Sequence, residues 1–247
     1  MIDVCDKFNK TSINQIEKGI LKTYPNTYTF SKNLAEQIVA NNCKDLPVAI
    51  VRPSIIGASL EDPCPGWIQN ISGFTSILLL ISRGCATAIR GRKDARVDLV
   101  PVDFVIDTII CTAWHVTLHP EHEVKVYNCT SNANPFRMIK LLKEGNKLFT
   151  SVSHFTMNEW TFQRDNCADL ARKVKMLHDS DMVTLDLRDM NWHKYVATYL
   201  MGIRKFILKQ EFQSAARERL SRLYWIHQIT KISGIVILLW IILCFVY

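Results

Sequence analysis

Tyr28 and Lys32 stand four residues apart in the stretch PNTYTFSKNLAEQIV, Pro25 to Val39. A phenol, with an ordinary pKa near 10, is a poor base at neutral pH but a usable proton donor to a developing alkoxide. A lysine ammonium one helical turn away favours the phenolate and lowers that pKa. The same ammonium can bind a ribose hydroxyl. Hydride delivery to a carbonyl carbon, with a proton from the phenol to its oxygen, completes a reduction. The spacing by itself is common in helices, so the elements around it must decide whether it is a site.

Pro25 breaks the chain, and Asn26 or Thr27 can cap a helix predicted to run to about Asn41. Phe30, Leu34 and Ile38 make one apolar stripe on it. Tyr28 and Lys32 lie on another stripe, about 40° apart and facing the same way. Leu46 to Ser54, LPVAIVRPS, is a β-branched apolar run ended by Pro53, which predicts a buried and parallel strand. Helix followed by buried strand is half of a βαβ unit. EDPCPGWIQNISG is a Pro- and Gly-rich loop. Phe74 to Ile81 falls short of a membrane span of about 20 residues and predicts a buried helix. RVDLVPVDFVIDTIICTAWH predicts a brief extended segment, an Asp103 cap and a helix to about His115, and VKVYNCT predicts another strand.

Residues 1–24 are polar, with a short helix predicted through INQIEKGILK, and from Asn134 onward the chain reads as mostly helical. Asn191 to Lys209 carries apolar residues at helical spacing. Ile232 to Tyr247 contains no charge. At a rise of ~1.5 Å per residue this tail reaches about 24 Å, against a hydrocarbon core of ~30 Å. Tyr224 and Trp225, with Gln228 and Thr230, suit the membrane interface. A membrane tail is the favoured reading, with a hairpin formed with the preceding segment, or a buried core helix, as the alternatives.

Of the 247 residues, 48% are apolar and 21% charged, a globular composition that excludes disorder for the bulk of the chain. The eight cysteines are scattered singly, so neither a zinc site nor a CxxC redox motif is supported, and they read as reduced thiols facing the cytosol. The opening MIDVCDKFNK is no signal peptide. The net charge of +7 gathers at Arg204, Lys205, Lys209, Arg217, Arg219, Arg222 and Lys231, just before the apolar end. That placement predicts a membrane surface, not nucleic acid, as the partner. His115, His119 and His122 read as a solvated helix end and not as metal ligands. Asp179, Asp181, Asp186 and Asp189 read as caps and flanks of the NWHKY helix.

A helix bearing Tyr28-x-x-x-Lys32, followed by a strand ending Arg52-Pro53-Ser54-Ile55-Ile56-Gly57, resembles the extended short-chain dehydrogenase/reductase family. PNTYTFSKNLAEQIV, VRPSIIGASLEDPCPGWIQNISG and LVPVDFVIDTII together resemble one branch of it, the alcohol-forming fatty acyl-CoA reductases. FTMNEWTFQRDN, LDLRDMNWHKYVATYLMGIRKFILK and RERLSRLYWIHQITK resemble the helical C-terminal domain of those enzymes. The resemblance implies an α/β fold: an incomplete Rossmann-type domain over residues 1–135, a mostly helical domain over 136–231, and the tail 232–247. It implies two-step reduction of a long-chain fatty acyl-CoA to a fatty alcohol with NADPH, on a protein anchored to the endoplasmic reticulum or peroxisome and facing the cytosol. Tyr28 matches the proton donor, and Lys32 matches the residue that tunes it and holds the nicotinamide ribose. Pro53, Ser54 and Ile55 match the nicotinamide side. Gly66-Trp67 resembles an element beside the acyl channel, and reads equally well as a turn with a core tryptophan.

The departures are specific. No G-x-x-G-x-x-G or G-x-G-x-x-G is present to seat a pyrophosphate, and Ser12 sits in no context like that of the family's catalytic serine. A further gap falls between NANPF and RMIKLLKEGNKLF. The expectation is therefore a chain lacking the first half of the nucleotide domain and making no fatty alcohol alone. The competing reading from another class is a catalytically inactive, membrane-anchored binding protein derived from that family. A sugar-nucleotide epimerase is disfavoured by the C-terminal motifs.

Overall fold

The computed structural model describes residues 24–43, 46–83, 96–120, 123–131, 134, 136–137, 158–209 and 224–234, with Gly19 and Arg222. The helix predicted through INQIEKGILK, His122 and most of the tail, residues 235–247, lie outside these. The chain divides into two units, Met1–Ile203 and Arg204–Tyr247.

In the first unit, helix α1 (Thr27–Asn42) leads into strand β1 (Ala49–Pro53). Asn26 is the N-cap, its side-chain oxygen accepting from Thr29 N–H at 2.9 Å. After Ser54 comes β2 (Ile55–Ile56), then helix α2 (Phe74–Ser82), β3 (Arg96–Val97), β4 (Leu99–Val100) and helix α3 (Val102–Leu118). Strands β5 (Lys125–Cys129) and β6 (Phe136–Arg137), helix α4 (Asp165–Lys175), a 3₁₀ turn (Ser180–Met182) and helix α5 (Trp192–Gly202) complete it. The helix expected over Asn191 to Lys209 widens into a π turn at Ile203–Ile207.

β1 pairs in parallel with β5, Ala49 opposite Lys125 and Pro53 opposite Cys129. β2 pairs in parallel with β4, and β3 pairs antiparallel with β6. α3 and α4 pack on the β1–β5 pair through Cys111, Tyr127, Cys167, Leu170 and Val174. Val100, Phe104, Val105, Cys129 and Leu187 form the adjoining core.

Three readings need correction. β1 is only half-buried, with Arg52 and Pro53 exposed, and α1 has no buried residue; Ile38 of its apolar stripe is 54% exposed. Asp103 lies in the first turn of α3, whose N-cap is Pro101. Its carboxylate is turned away from its own helix to accept the N–H groups of Leu60, Glu61 and Asp62 at 2.7–3.2 Å. The N-cap of α5 is Asn191, through its own side chain, and none of the four aspartates; Asp186 pairs with Arg188 instead.

α5 is locked onto the loop after β2 by backbone contact. Gly66 has φ +79°, and a methyl there would come within 2.5 Å of the Thr198 carbonyl oxygen. A methyl on Gly202 would overlap the Gly66 carbonyl oxygen. Tyr195 Oη donates to the Ala58 carbonyl at 2.7 Å, and the hydroxyls of Tyr199 and Thr75 share a buried hydrogen bond of 2.8 Å. In the second unit, residues 224–234 are helical, with Tyr224, Trp225, Ile226, Ile229 and Ile232 exposed. Among the described residues no helix is long and apolar enough to cross a membrane.

The glycine contact is testable. Gly202→Ala forces the loop backbone away from α5 and is expected to cost about 3 kcal/mol, the upper range for overpacking. Urea unfolding of wild type and variant measures it, and an unchanged midpoint would refute the close approach.

Candidate functional site

The candidate pair sits in the first two turns of α1. Lys32 Nζ lies 5.6 Å from the centre of the Tyr28 ring, so the two side chains share one face of the helix. Tyr28 is 66% exposed and Lys32 is exposed. One further turn along the same row, Glu36 accepts from Arg52 at two atoms, Nε at 2.8 Å and Nη2 in a shorter contact. Tyr28, Lys32 and Glu36 thus form an i, i+4, i+8 row, and its last member is fastened to the residue before Pro53. The helix bearing the pair is thereby tied to the C-terminal end of β1, the end at which open α/β sheets bind ligands.

At that end the strand changes partner. Ser54 N–H donates to Cys129 C=O at 3.0 Å, the last bond to β5, while Ile55 N–H donates to Asp98 C=O at 3.0 Å and Gly57 N–H to Val100 C=O at 2.8 Å. Ser54 is thus where the chain leaves one parallel pair and enters another. The change is held by Asp98, whose Oδ1 accepts from Ser54 Oγ at 2.8 Å, Ser131 N at 2.6 Å and Ser131 Oγ at 2.9 Å. The Ser54 hydroxyl is therefore committed to the carboxylate. Pro53, Ser54 and Ile55 are brought together with one another as a turn, and Arg52–Glu36 links that turn to the Tyr28–Lys32 helix.

Gly66 and Trp67 lie apart from this turn in sequence, in a loop that folds on itself. Gly66 N–H donates to Ser59 C=O at 2.9 Å, Ser59 N–H to Trp67 C=O at 3.0 Å, and Trp67 N–H to Ser59 Oγ at 3.1 Å. Trp67 is half-buried. The visible role of Gly66 is to let α5 approach.

The buried tyrosines are chemically distinct from Tyr28. Burial pushes the Tyr195 phenol far above its ordinary range and also raises that of Tyr199, against the opposing bond from Thr75. Each is pinned in a hydrogen bond, so neither is a proton donor to solvent or substrate. The thiols of Cys129 and Cys167 are pushed by burial up to about 12 and about 11, which leaves them as inert core residues. His115, expected at a solvated helix end, is instead buried between Lys173 and Tyr127. Among the described residues no cluster of three metal-ligating side chains occurs.

Sequence reasoning missed Asp98 and Glu36, and gave Asp103 the wrong task. Asp98 and Asp103 flank the hydrophobic Leu99-Val100-Pro101-Val102, and a pair of acids bracketing so short an apolar run was the available signal. Glu36 was visible as the next member of the Tyr28–Lys32 row.

Comparison with known proteins agrees with this architecture. An NAD-binding family model described as male sterility protein matches residues 4–109, and a second, also described as male sterility protein, matches residues 120–210. Fatty acyl-CoA reductase 1 of Mus musculus is 28% identical over 288 residues, covering 90% of this chain and 56% of the relative. Fatty acyl-CoA reductase 2 of Homo sapiens is 27% identical over 291 residues, covering 92% and 56%. The chain therefore spans little more than half the length of these curated relatives. Because the alignments are longer than the 247-residue chain, the relatives also carry stretches with no counterpart here.

Asp98 offers a direct test of the turn. Asp98→Ala removes three bonds to one carboxylate and is expected to lower stability by about 2–3 kcal/mol, whereas Asp98→Asn keeps an acceptor and loses less. Equal urea midpoints for wild type and Asp98→Ala would show that the carboxylate does not hold the turn. With two adjoining family models and the curated relatives in agreement across most of its length, the chain belongs to the fatty acyl-CoA reductase family.

Proposed function

We propose that this protein takes part in NADPH-dependent reduction of a long-chain fatty acyl-CoA to a fatty alcohol, with CoA leaving after the first reduction and the aldehyde reduced in the second. The observation that carries the reading is the Tyr28–Lys32–Glu36 row tied through Arg52 to the turn at Pro53–Ser54–Ile55. Among the described residues, the donor set suits the nicotinamide–ribose end of the cofactor: an exposed ammonium beside an exposed phenol, on a helix tied through Glu36 and Arg52 to a strand terminus. NADPH, when bound, supplies the hydride.

Tyr28 Oη donates the proton to the carbonyl oxygen as charge develops there. Lys32 Nζ favours the resulting phenolate and donates to ribose hydroxyls. Pro53, Ser54 and Ile55 form the nicotinamide side, with Asp98 fixing the turn that presents them. Gly66 and Trp67 line the acyl side of the loop packed by α5. The reductase part is assigned to residues 1–135, the helical part to 136–231 and the membrane-embedded tail to 232–247.

The assay follows from the missing glycine-rich turn: the chain is joined behind a nucleotide-binding half that bears one. Tyr28→Phe is expected to lower fatty alcohol formation about 10²–10⁴-fold with acyl-CoA binding nearly unchanged. Lys32→Ala is expected to weaken NADPH binding as well. Wild-type turnover in Tyr28→Phe would reject the proton-donor role, and wild-type binding of acyl-CoA with no NADPH binding at all would favour a non-catalytic binding protein.

The same reading places the protein on the cytosolic face of the endoplasmic reticulum or peroxisome, with Arg222 and Lys231 beside the apolar tail and Tyr224 and Trp225 at headgroup level. Deleting residues 232–247 is expected to release most of the protein from membranes in a flotation assay. Undiminished flotation would show that the tail is not the principal anchor.

A further inference from the structure

His115 is 3% exposed, near the C-terminal end of α3. Its Nε2 lies 2.8 Å from Lys173 Nζ on α4, and its Nδ1 lies 3.5 Å from the Tyr127 hydroxyl on β5. An ammonium can only donate, so Nε2 must be the accepting nitrogen and the ring must be neutral with its proton on Nδ1. Lys173 Nζ is at the same time 2.8 Å from Asp169 Oδ2, one turn earlier on α4. Asp169, Lys173, His115 and Tyr127 therefore make a chain of polar contacts running from α4 through α3 to β5.

We infer that His115, Lys173 and Asp169 form an acid-sensitive latch that seats α4 on the β1–β5 pair. Protonation of His115 places an N–H on Nε2 against the Lys173 ammonium, so the contact turns from a hydrogen bond into a repulsion between two cations. What the latch holds closed is apolar: Cys167, Leu170 and Val174 of α4 pack with Tyr127 and Cys111. Opening it bares that face and frees Gln163 and Asn166, which are bonded to Asn128 and Val126 of β5.

The groups that shift the ring act in the same direction, with the exception of Asp169. His119 lies against His115 with ring centres 5.1 Å apart and the planes tilted by 48°, and Lys125 of β5 and Glu123 line the same small surface depression. Burial first, then Lys173, His119 and Lys125, hold the imidazole below its ordinary value of 6.5, and Asp169 alone opposes them. Asp169 is itself held low by its bond to Lys173, so the cation that blocks His115 stays in place. A group whose pKa is depressed in the closed form stabilises that form fully above 6.5. The stabilisation falls as pH drops from there towards the depressed value.

Amide hydrogen exchange on the full 247-residue chain, corrected for the intrinsic pH dependence of exchange, reads the latch. Protection of the α4 amides is expected to fall by about tenfold per pH unit below pH ~6.5. His115→Gln keeps an acceptor for Lys173 but does not titrate, and is expected to hold its protection constant across the same range. His119→Gln should retain the wild-type fall. If His115→Gln does not fold, Lys173→Met decides the matter: without the opposing ammonium its fall should be shallower than that of wild type. Protection independent of pH in the wild type would overturn the latch, as would a wild-type fall in the His115→Gln or, failing that, the Lys173→Met protein. These results are independent of whether the chain reduces anything.

Discussion

The change of hydrogen-bond partner at Ser54 is the constraint on which the first unit depends. A strand that left β5 without a fixed next partner would leave backbone donors and acceptors unpaired where the chain passes from one strand pair to the next. The Asp98 carboxylate prevents this by accepting three bonds from two segments, the turn after β1 and the turn after β5. On one side of that knot lie β1, β5, α3 and α4. On the other lie β2, β4, the loop through Gly66 and α5. Asp98 Oδ2 is buried with no hydrogen-bond partner among the described residues, so one oxygen carries the joint while the other is left costly.

Helix α1 is held quite differently. With no residue buried, it gains little from apolar packing and relies on its Asn26 cap, on Tyr24 stacking edge-on against Phe30, and on the Arg52–Glu36 pair. The two sides of that ion pair are 50% and 27% exposed, which places it in the range of about 0–1 kcal/mol. Two kinds of precision follow. The mutual placement of Tyr28 and Lys32 is set within one helix and is insensitive to how the helix docks. Their placement against Ser54 rests on a modest polar contact, so it is the part of the candidate site most open to adjustment by a ligand.

This division matches what could be read from the sequence. Contacts within one or two turns were legible: a cap at Asn26 or Thr27, of which Asn26 serves, the shared face of Tyr28 and Lys32, and the extents of α1, α2 and β5, whereas β1 starts at Ala49 and not at Leu46. Those that join residues distant in sequence were not. The Asp103 carboxylate stands in the first turn of α3, yet it serves a loop some forty residues earlier. His115 sits at a helix end that reads as solvated, but Lys173 and Tyr127 cover it. Gly66 carried a correct signal of a special backbone position, while the identity of what approaches it depended on Gly202 and Thr198. Polar side chains have several possible partners, and only the folded topology selects among them.

The segments matched by the two family models, residues 4–109 and 120–210, pack against each other within the unit that ends at Ile203. Tyr195 and Tyr199 of α5 reach into the segment before residue 110 to bond Ala58 and Thr75, and Gly202 abuts Gly66. Asn134 in turn donates to the carbonyls of Leu187 and Met190, and Trp192 Nε1 donates back to the Asn134 carbonyl. The Tyr195 and Tyr199 bonds cross between the two matched segments and are buried, where an unmade bond costs more than a made one contributes. The part-buried Asn134 bonds tie the helical stretch to the end of the strand-rich one within the second segment. The helical part therefore acts as a wall of the loop that follows the Ser54 turn. A change in α5 will be felt in the Gly66 loop before it is felt anywhere on α1, because the first contact is backbone against backbone and the second is a single exposed ion pair.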